Sequence, residues 1–378
     1  MRYVVKYFIL IMMMFSNNII QSQQLPEFNG QLSGFLNYSP QNDLDFLIGG
    51  RYIPELFYGI PLDTVHKIDF DLSVNLNGSV FAHPFDSAVA DVDINLYRFW
   101  ARYSTNQFEL RLGLQKIDFG SATVLRPLQW FNQIDPRDPL QLTQGVYAAL
   151  ARYYFLNNAN VWLWALYGNE LTRGYDILPT YSGDPEFGGR FQFPLPKGEL
   201  AFSYNHRNAE WIDSTSTDPQ AIPENRFGID GKWDLGIGLW FEGAQVIKQE
   251  DIGILTNQTL FTLGMDYTFG IGSGLNVVGE HMLISSSEET FDFSNNQNVS
   301  AITMSYPLAM YDNLSLIFYY SWGVDAASFF INYSHQFQNI TGYIMAFYNP
   351  EVEQDLQENS FVNNFQGPGV RLMVVFNH

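Results

Sequence analysis

The chain has 378 residues, 39 acidic against 19 basic for a formal charge of −20, and no cysteine. An acidic excess without a basic cluster argues against nucleic-acid binding, and the missing thiols remove disulfide frameworks, thiolate metal sites and cysteine nucleophiles. Phe (32), Tyr (22) and Trp (8) are abundant while charged residues make up only 15%, against about 25% in an ordinary soluble domain. Mean hydropathy is nevertheless close to zero, the profile of a wall that is oily on one face and wet on the other.

Residues 1–22 come first. Arg2 and Lys6 precede an apolar run over 7–15, and Ser22 offers a small residue for cleavage, the grammar of a secretory signal peptide. That run is too short to cross ~30 Å of hydrocarbon, which takes about 20 residues, and no later stretch is long and apolar enough. A membrane could be crossed only by a closed barrel, because open sheet edges are not tolerated in lipid. Residues 23–378 then form a single barrel domain.

Alternation runs through that domain. In 68–77 every even position is apolar (Ile68, Phe70, Leu72, Val74, Leu76) and every odd one polar (Asp69, Asp71, Ser73, Asn75, Asn77), a period of two. The pattern recurs over 108–117, where Leu110, Leu112 and Leu114 oppose Glu109, Arg111 and Gln115, and over 259–269. Read with their turn signals, such segments predict an all-β transmembrane antiparallel barrel of about eighteen strands. The strands centre near 30, 45, 70, 97, 111, 150, 163, 190, 202, 229, 241, 264, 278, 302, 317, 331, 344 and 372. Short links such as 104–106, 157–158, 194–198 and 270–274 alternate with long ones near 78–92, 119–144, 170–186, 207–225, 248–257, 285–298 and 350–366. The link near 55–65 breaks this alternation, which leaves sixteen strands admissible. In the long links acidic residues outnumber Arg173, Arg207 and Lys248 several-fold; they serve solvation, or divalent cations shared with lipopolysaccharide.

Segment 111–147 is the most informative. Its longest link, 119–144, is of the kind that folds into a barrel as a third loop, and prolines flanking Arg137 and Asp138 stiffen it. Arg126, Trp130, Gln133, Asp135, Arg137 and Asp138 either line a constriction or serve as local caps and braces. Parity places Tyr97, Phe99, Ala101 and Tyr103 outward, turning Arg98 and Arg102 inward, and does the same for Arg111, Arg152 and Arg190. An arginine facing lipid costs about 2–4 kcal/mol at the midplane, so the inward assignment follows if the barrel is right. These arginines pair with Glu109, Asp135 and Asp138, or form with Gln115 a strip that selects solutes by a transverse field. Trp162, Trp164, Tyr153, Tyr154, Tyr319 and Tyr320 read as an interfacial girdle, with a lumen position open to a few of them.

Gly113, Gln115, Phe119 and Gly120, followed by Asp135-Pro136-Arg137-Asp138-Pro139, resemble the corresponding region of Gram-negative outer-membrane porin and alginate-export-like barrels, in their Bacteroidetes branch. Phe119 and Asp135 stand where Trp and Asn are usual in that pattern. The apolar strand 369–376, ending in Phe376, resembles the terminal signal read by the barrel-insertion machinery, although Asn377 and His378 follow it. The resemblance implies an outer-membrane channel for passive diffusion of small polar or anionic solutes, with the bilayer and lipopolysaccharide as partners, no cofactor or metal, and homo-oligomerisation compatible with the family. Two other readings stay open: a non-conducting accessory barrel plugged by its own loop, and an outer-membrane hydrolase using Ser203 and His206. No catalytic motif surrounds the six histidines.

Overall fold

A computed structural model describes residues 25–42, 44–83, 87–212, 218–350 and 367–378. Segment 1–22, expected to be a signal peptide, and most of the acidic link 350–366 lie outside the described residues. The strands are β1 (Glu27–Tyr38), β2 (Phe46–Pro61), β3 (Lys67–Ala82), β4 (Ala88–Ser104), β5 (Phe108–Gln115), β6 (Val146–Tyr154), β7 (Asn160–Leu166), β8 (Glu186–Leu195) and β9 (Gly198–Trp211). They continue with β10 (Gln220–Asp234), β11 (Gly238–Lys248), β12 (Asn257–Phe269), β13 (Leu275–Ser287), β14 (Asn296–Ala309), β15 (Asp312–Ser321), β16 (Ala326–Gln336), β17 (Ile340–Asn349) and β18 (Gly367–Asn377).

Each strand pairs antiparallel with its neighbour in sequence, and β1 pairs with both β2 and β18, so the 18-stranded sheet closes on itself. Closure satisfies every ladder without leaving an edge, the condition for backbone in hydrocarbon. Outward positions form a continuous apolar wall: Leu163, Leu263 and Val374 are 60%, 56% and 54% exposed. At the short-turn end Tyr154, Phe155, Tyr267, Phe269, Tyr311 and Phe337 remain exposed, as an aromatic girdle does. The chain end joins this rim. Gly30 and His378 exchange two backbone hydrogen bonds at 3.0 Å, and the His378 ring lies against Phe28 and Phe376.

Three expectations change. The irregular link near 55–65 is mostly strand: β2 begins at Phe46 and runs to Pro61, leaving a turn over 62–66. In that turn Asp63 Oδ1 accepts the Val65 and His66 N–H groups at 2.7 and 2.8 Å, which holds its carboxyl below the ordinary range. The barrel therefore has eighteen strands, not sixteen. Second, the β3–β4 register slips between Ser73 and Val74, which pair with Arg98 and Leu96 and leave Tyr97 over. Such a bulge reverses parity: Leu96 and Phe99 are both exposed, while Tyr97 lies beneath the Arg98 guanidinium, 4.0 Å from its ring centroid. Third, it is Leu163 that faces outward, so Trp162 and Trp164 belong to the interior; Tyr319 also packs inside, against the main buried cluster.

Candidate functional site

Between β5 and β6 the chain enters the barrel. Gln115, fully buried, donates to the Ala148 carbonyl at 2.9 Å and fixes the point of departure. Segment 117–131 then contributes Ile117, Phe119, Val124, Leu125, Leu128, Trp130 and Phe131 to an apolar cluster. Inward side chains of β6, β7 and β11–β14 complete it, among them Leu150, Trp164, Leu166, Leu260, Met282 and Val299. Phe119 stacks on Trp164 with centroids 5.5 Å apart and meets Trp130 edge-on at 5.7 Å. Each large side chain buried this way is worth about 1.5–3 kcal/mol, so this side of the lumen is a packed core.

Orientation of the plug comes from carboxylates on the wall. Glu280 on β13 accepts three successive backbone N–H groups, from Thr123 (2.7 Å), Val124 (2.9 Å) and Leu125 (2.6 Å). It also accepts the Thr123 hydroxyl and the Trp240 indole N–H, both at 2.9 Å. Glu242 on β11 takes the N–H groups of Ala122 (2.9 Å) and Leu128 (2.5 Å). Asp230 on β10 accepts the Ser121 hydroxyl at 2.9 Å while paired with Arg190 through two nitrogens. Consecutive N–H groups converging on an anion form a nest. Gly120 makes the approach feasible: its φ is +112°, and a Cβ there would collide with the Glu242 carboxylate.

Beyond the nest the loop continues across the lumen. Asp135, Arg137 and Asp138 share a small cavity with Phe330, Met345, Phe347 and Arg371 of β16–β18. Arg137 pairs with Asp135 at 3.0 Å, and Asp138 accepts the Leu140 N–H at 3.1 Å. Leu140 packs on a second apolar cluster that includes Phe330, Met345, Phe347 and Met373. The tip thus meets the β16–β18 wall, not the arginines of β4–β8 that its acidic residues were expected to oppose.

Link 167–185 reinforces the plug. Gly174, with φ +58°, sits where a Cβ would strike the Gln129 carbonyl, so the two loops touch backbone to backbone. Asp176 in this link pairs with Arg207 (3.0 Å) and Arg226 (2.7 Å), and Arg173 pairs with Glu186 at 2.8 Å. Glu224 joins Arg207 and Arg226 at 2.6 and 2.7 Å, with Lys248 at 3.5 Å. Acidic residues read as solvated, Asp176, Glu186 and Glu224, are buried ion-pair partners.

Apart from Asp135, Arg137 and Asp138 at the tip, the expected pore-lining residues fall into two groups. Arg98, Gln115, Arg126, Trp130 and Arg190 are buried. Arg98 holds the plug's return through Thr143 (Oγ1 2.9 Å), Arg126 pairs with Asp118 at 2.8 Å, Trp130 lies in the core, and Arg190 is committed to Asp230 and Ser203. Four of them use polar atoms in bonds within the plug or to the wall around it, while the Trp130 indole N–H is buried with no partner among the described residues.

Arg102, Glu109, Arg111 and Arg152 keep 14–25% side-chain exposure on β4–β6. There Glu109 is shared by Arg111 (2.9 Å), Arg152 (3.7 Å) and Arg102 (3.8 Å), and Arg102 also binds Asp69 at 2.6 Å. Arg152 lies over Trp162 at 3.9 Å and Arg111 over Trp100 at 4.7 Å. The Nε atoms of Arg111 and Arg152 are buried with no hydrogen-bond partner among the described residues. Three guanidinium groups set against the two carboxylates of Glu109 and Asp69 leave a donor-rich wall with a net positive balance among these groups.

Sequence reading missed Asp230, Glu242 and Glu280, because a carboxylate at an inward position looks like ordinary lumen lining. A usable signal existed in inward positions that are apolar, such as Leu150, Met345 and Met373, which demand something oily inside the barrel. The hydrolase pair separates: Ser203 is buried inside and bonded to Arg190, whereas His206 sits on the outer face beside Phe187.

No protein-family model matches the chain, and no curated protein matches it in sequence. Solved outer-membrane barrels match its fold. Pseudomonas aeruginosa OccK5 (OpdH) superposes with TM-score 0.56 at 12% identity, covering 94% of this chain and 98% of that one. Vibrio cholerae OmpT in its trimer form gives 0.51 at 9% identity over 94% and 99%. An anion-selective porin from Comamonas acidovorans gives 0.50 at 11% over 94% and 99%. Fold and apolar wall together define a closed transmembrane β-barrel, porin-like in architecture.

Proposed function

We propose that the protein is an outer-membrane channel for passive diffusion of small polar solutes, preferring anions, along the part of the lumen bordered by β2–β6. The carrying observation is the Arg102–Arg111–Arg152 wall, where three cations share Glu109 and keep part of their side chains exposed. A solute carboxylate or phosphate would meet the exposed edges of these guanidinium groups as it passes, since guanidinium forks suit such oxyanions. Passage is diffusion through a field, with the loop 119–144 narrowing the path. On this reading the long links face the outside and the short turns the periplasm, after removal of 1–22. Lipopolysaccharide and the barrel-insertion machinery are its cellular partners, further copies of itself an associated state, and the alginate-export-like, Bacteroidetes kinship of 111–147 its ancestry.

One observation favours a second reading: the plug core is as apolar as a domain interior, which suits a sealed accessory barrel. Planar-bilayer recordings separate the two. A channel gives anion-shifted reversal potentials that move toward neutrality in Arg111→Gln/Arg152→Gln, and wider currents when residues 121–141 are deleted. Silence in the full chain with conductance only in the deletion variant makes the barrel a sealed one.

A further inference from the structure

Above the plug, toward the long links, lies a cavity of about 330 Å³ between segment 167–185 and the ends of β12–β14. Its volume falls at the low end of small-molecule sites, about 300–1,000 Å³. We infer that it binds a neutral mono- or disaccharide. The lining is rich in uncharged groups able both to donate and to accept: Gln133 from the plug, Gln258 from β12, Ser286 from β13, and Asn295 and Gln297 around the start of β14. Gln133 Nε2 is buried with no hydrogen-bond partner among the described residues. Gln258 Nε2 is oriented by the Tyr175 carbonyl at 3.3 Å.

A primary amide presents two donors beside an acceptor, the complement of adjacent ring hydroxyls, each of which donates once and accepts twice. Tyr175, Ile177 and Ile284 add an apolar side against which the C–H face of a pyranose can lie. Among the described residues the one charged lining residue, Asp176, is already paired with Arg207 at 3.0 Å and Arg226 at 2.7 Å. A cavity whose only charge is compensated gains nothing from an ionic ligand, and a short free peptide would bring two charged termini that nothing there meets. Because Gln133 belongs to the plug and Tyr175 to the link above it, a bound sugar touches both layers covering the lumen.

Maltose is the probe, added to the full chain in detergent and followed by saturation-transfer NMR, with the ring protons as readout. The expected result is saturable transfer, weakened at least about tenfold in both Asn295→Ala and Gln297→Ala, a loss of about 1.4 kcal/mol. Unaltered potassium chloride conductance or sealing in those variants reports an intact barrel, and keeps this test separate from the channel reading. Absence of transfer in the native protein overturns the inference. So does binding unchanged in both variants, equal competition by gluconate, or binding of dialanine in preference to maltose.

Discussion

Replacing Glu280 by alanine removes the acceptor of the Thr123, Val124 and Leu125 N–H groups and of the Trp240 indole. A buried donor deprived of its partner costs about 1–3 kcal/mol. Counting only the three backbone donors at the lower figure gives about 3 kcal/mol against docking of the loop, roughly a hundredfold in its equilibrium at ~1.4 kcal/mol per tenfold. Glu280→Gln keeps the shape but loses the charge and turns an NH2 group toward other donors, so it should fall between. Hydrogen exchange followed by mass spectrometry reads this directly: peptides spanning 119–130 should exchange about a hundredfold faster in the alanine variant, with β1–β5 unchanged. Bilayer recordings should show larger or noisier currents. Unchanged protection at 123–125 would falsify the idea that this carboxylate orients the plug.

Other perturbations probe neighbouring parts. Asp230→Ala strands the buried Arg190 guanidinium and frees Ser121; breaking a buried pair costs about 3–5 kcal/mol, to be seen as a lower urea midpoint, and an unchanged midpoint refutes it. Gly120→Ala forces a side chain into the Glu242 carboxylate at a left-handed backbone position, so its exchange pattern should resemble that of Glu280→Ala. Trp130→Ala empties part of the plug core at a cost of about 3–5 kcal/mol and should loosen 117–131 before it affects the wall. If instead the wall unfolds first, plug and barrel are one cooperative unit.

The wall was readable because lipid outside and water inside enforce a period of two, and segment 68–77 shows it without interruption. Errors arose where backbone or content departs from that simple partition. At Tyr97 one extra residue reverses parity, and nothing in the side chains of 95–103 announces it. Trp162 and Trp164 were assigned to lipid because tryptophan suits the interface, yet the interior is oily enough to receive them. That segment 119–144 folds inward was foreseen from length and prolines. Its seat was not, because Glu242 and Glu280 lie more than a hundred residues away and acquire meaning only when the backbone of 121–128 is brought to them. Arg98 and Arg190 show the same limit: alternation gives the side of the wall, while the partner decides whether a cation is solvated or consumed.

The carboxylates that seat the plug, Asp230, Glu242 and Glu280, all come later in the chain than the plug itself. Ser121, Ala122 and Thr123 meet partners 109, 120 and 157 residues downstream. The receptor does not exist until β10, β11 and β13 stand side by side, and contacts of such long range are expected late in assembly. If those contacts form last, the cylinder is complete and its bore unobstructed before the plug docks. Docking of the plug is then a separate final event, with its own rate, and changes at Glu280 should alter how long the undocked stage lasts while leaving the time needed to build the cylinder unaffected.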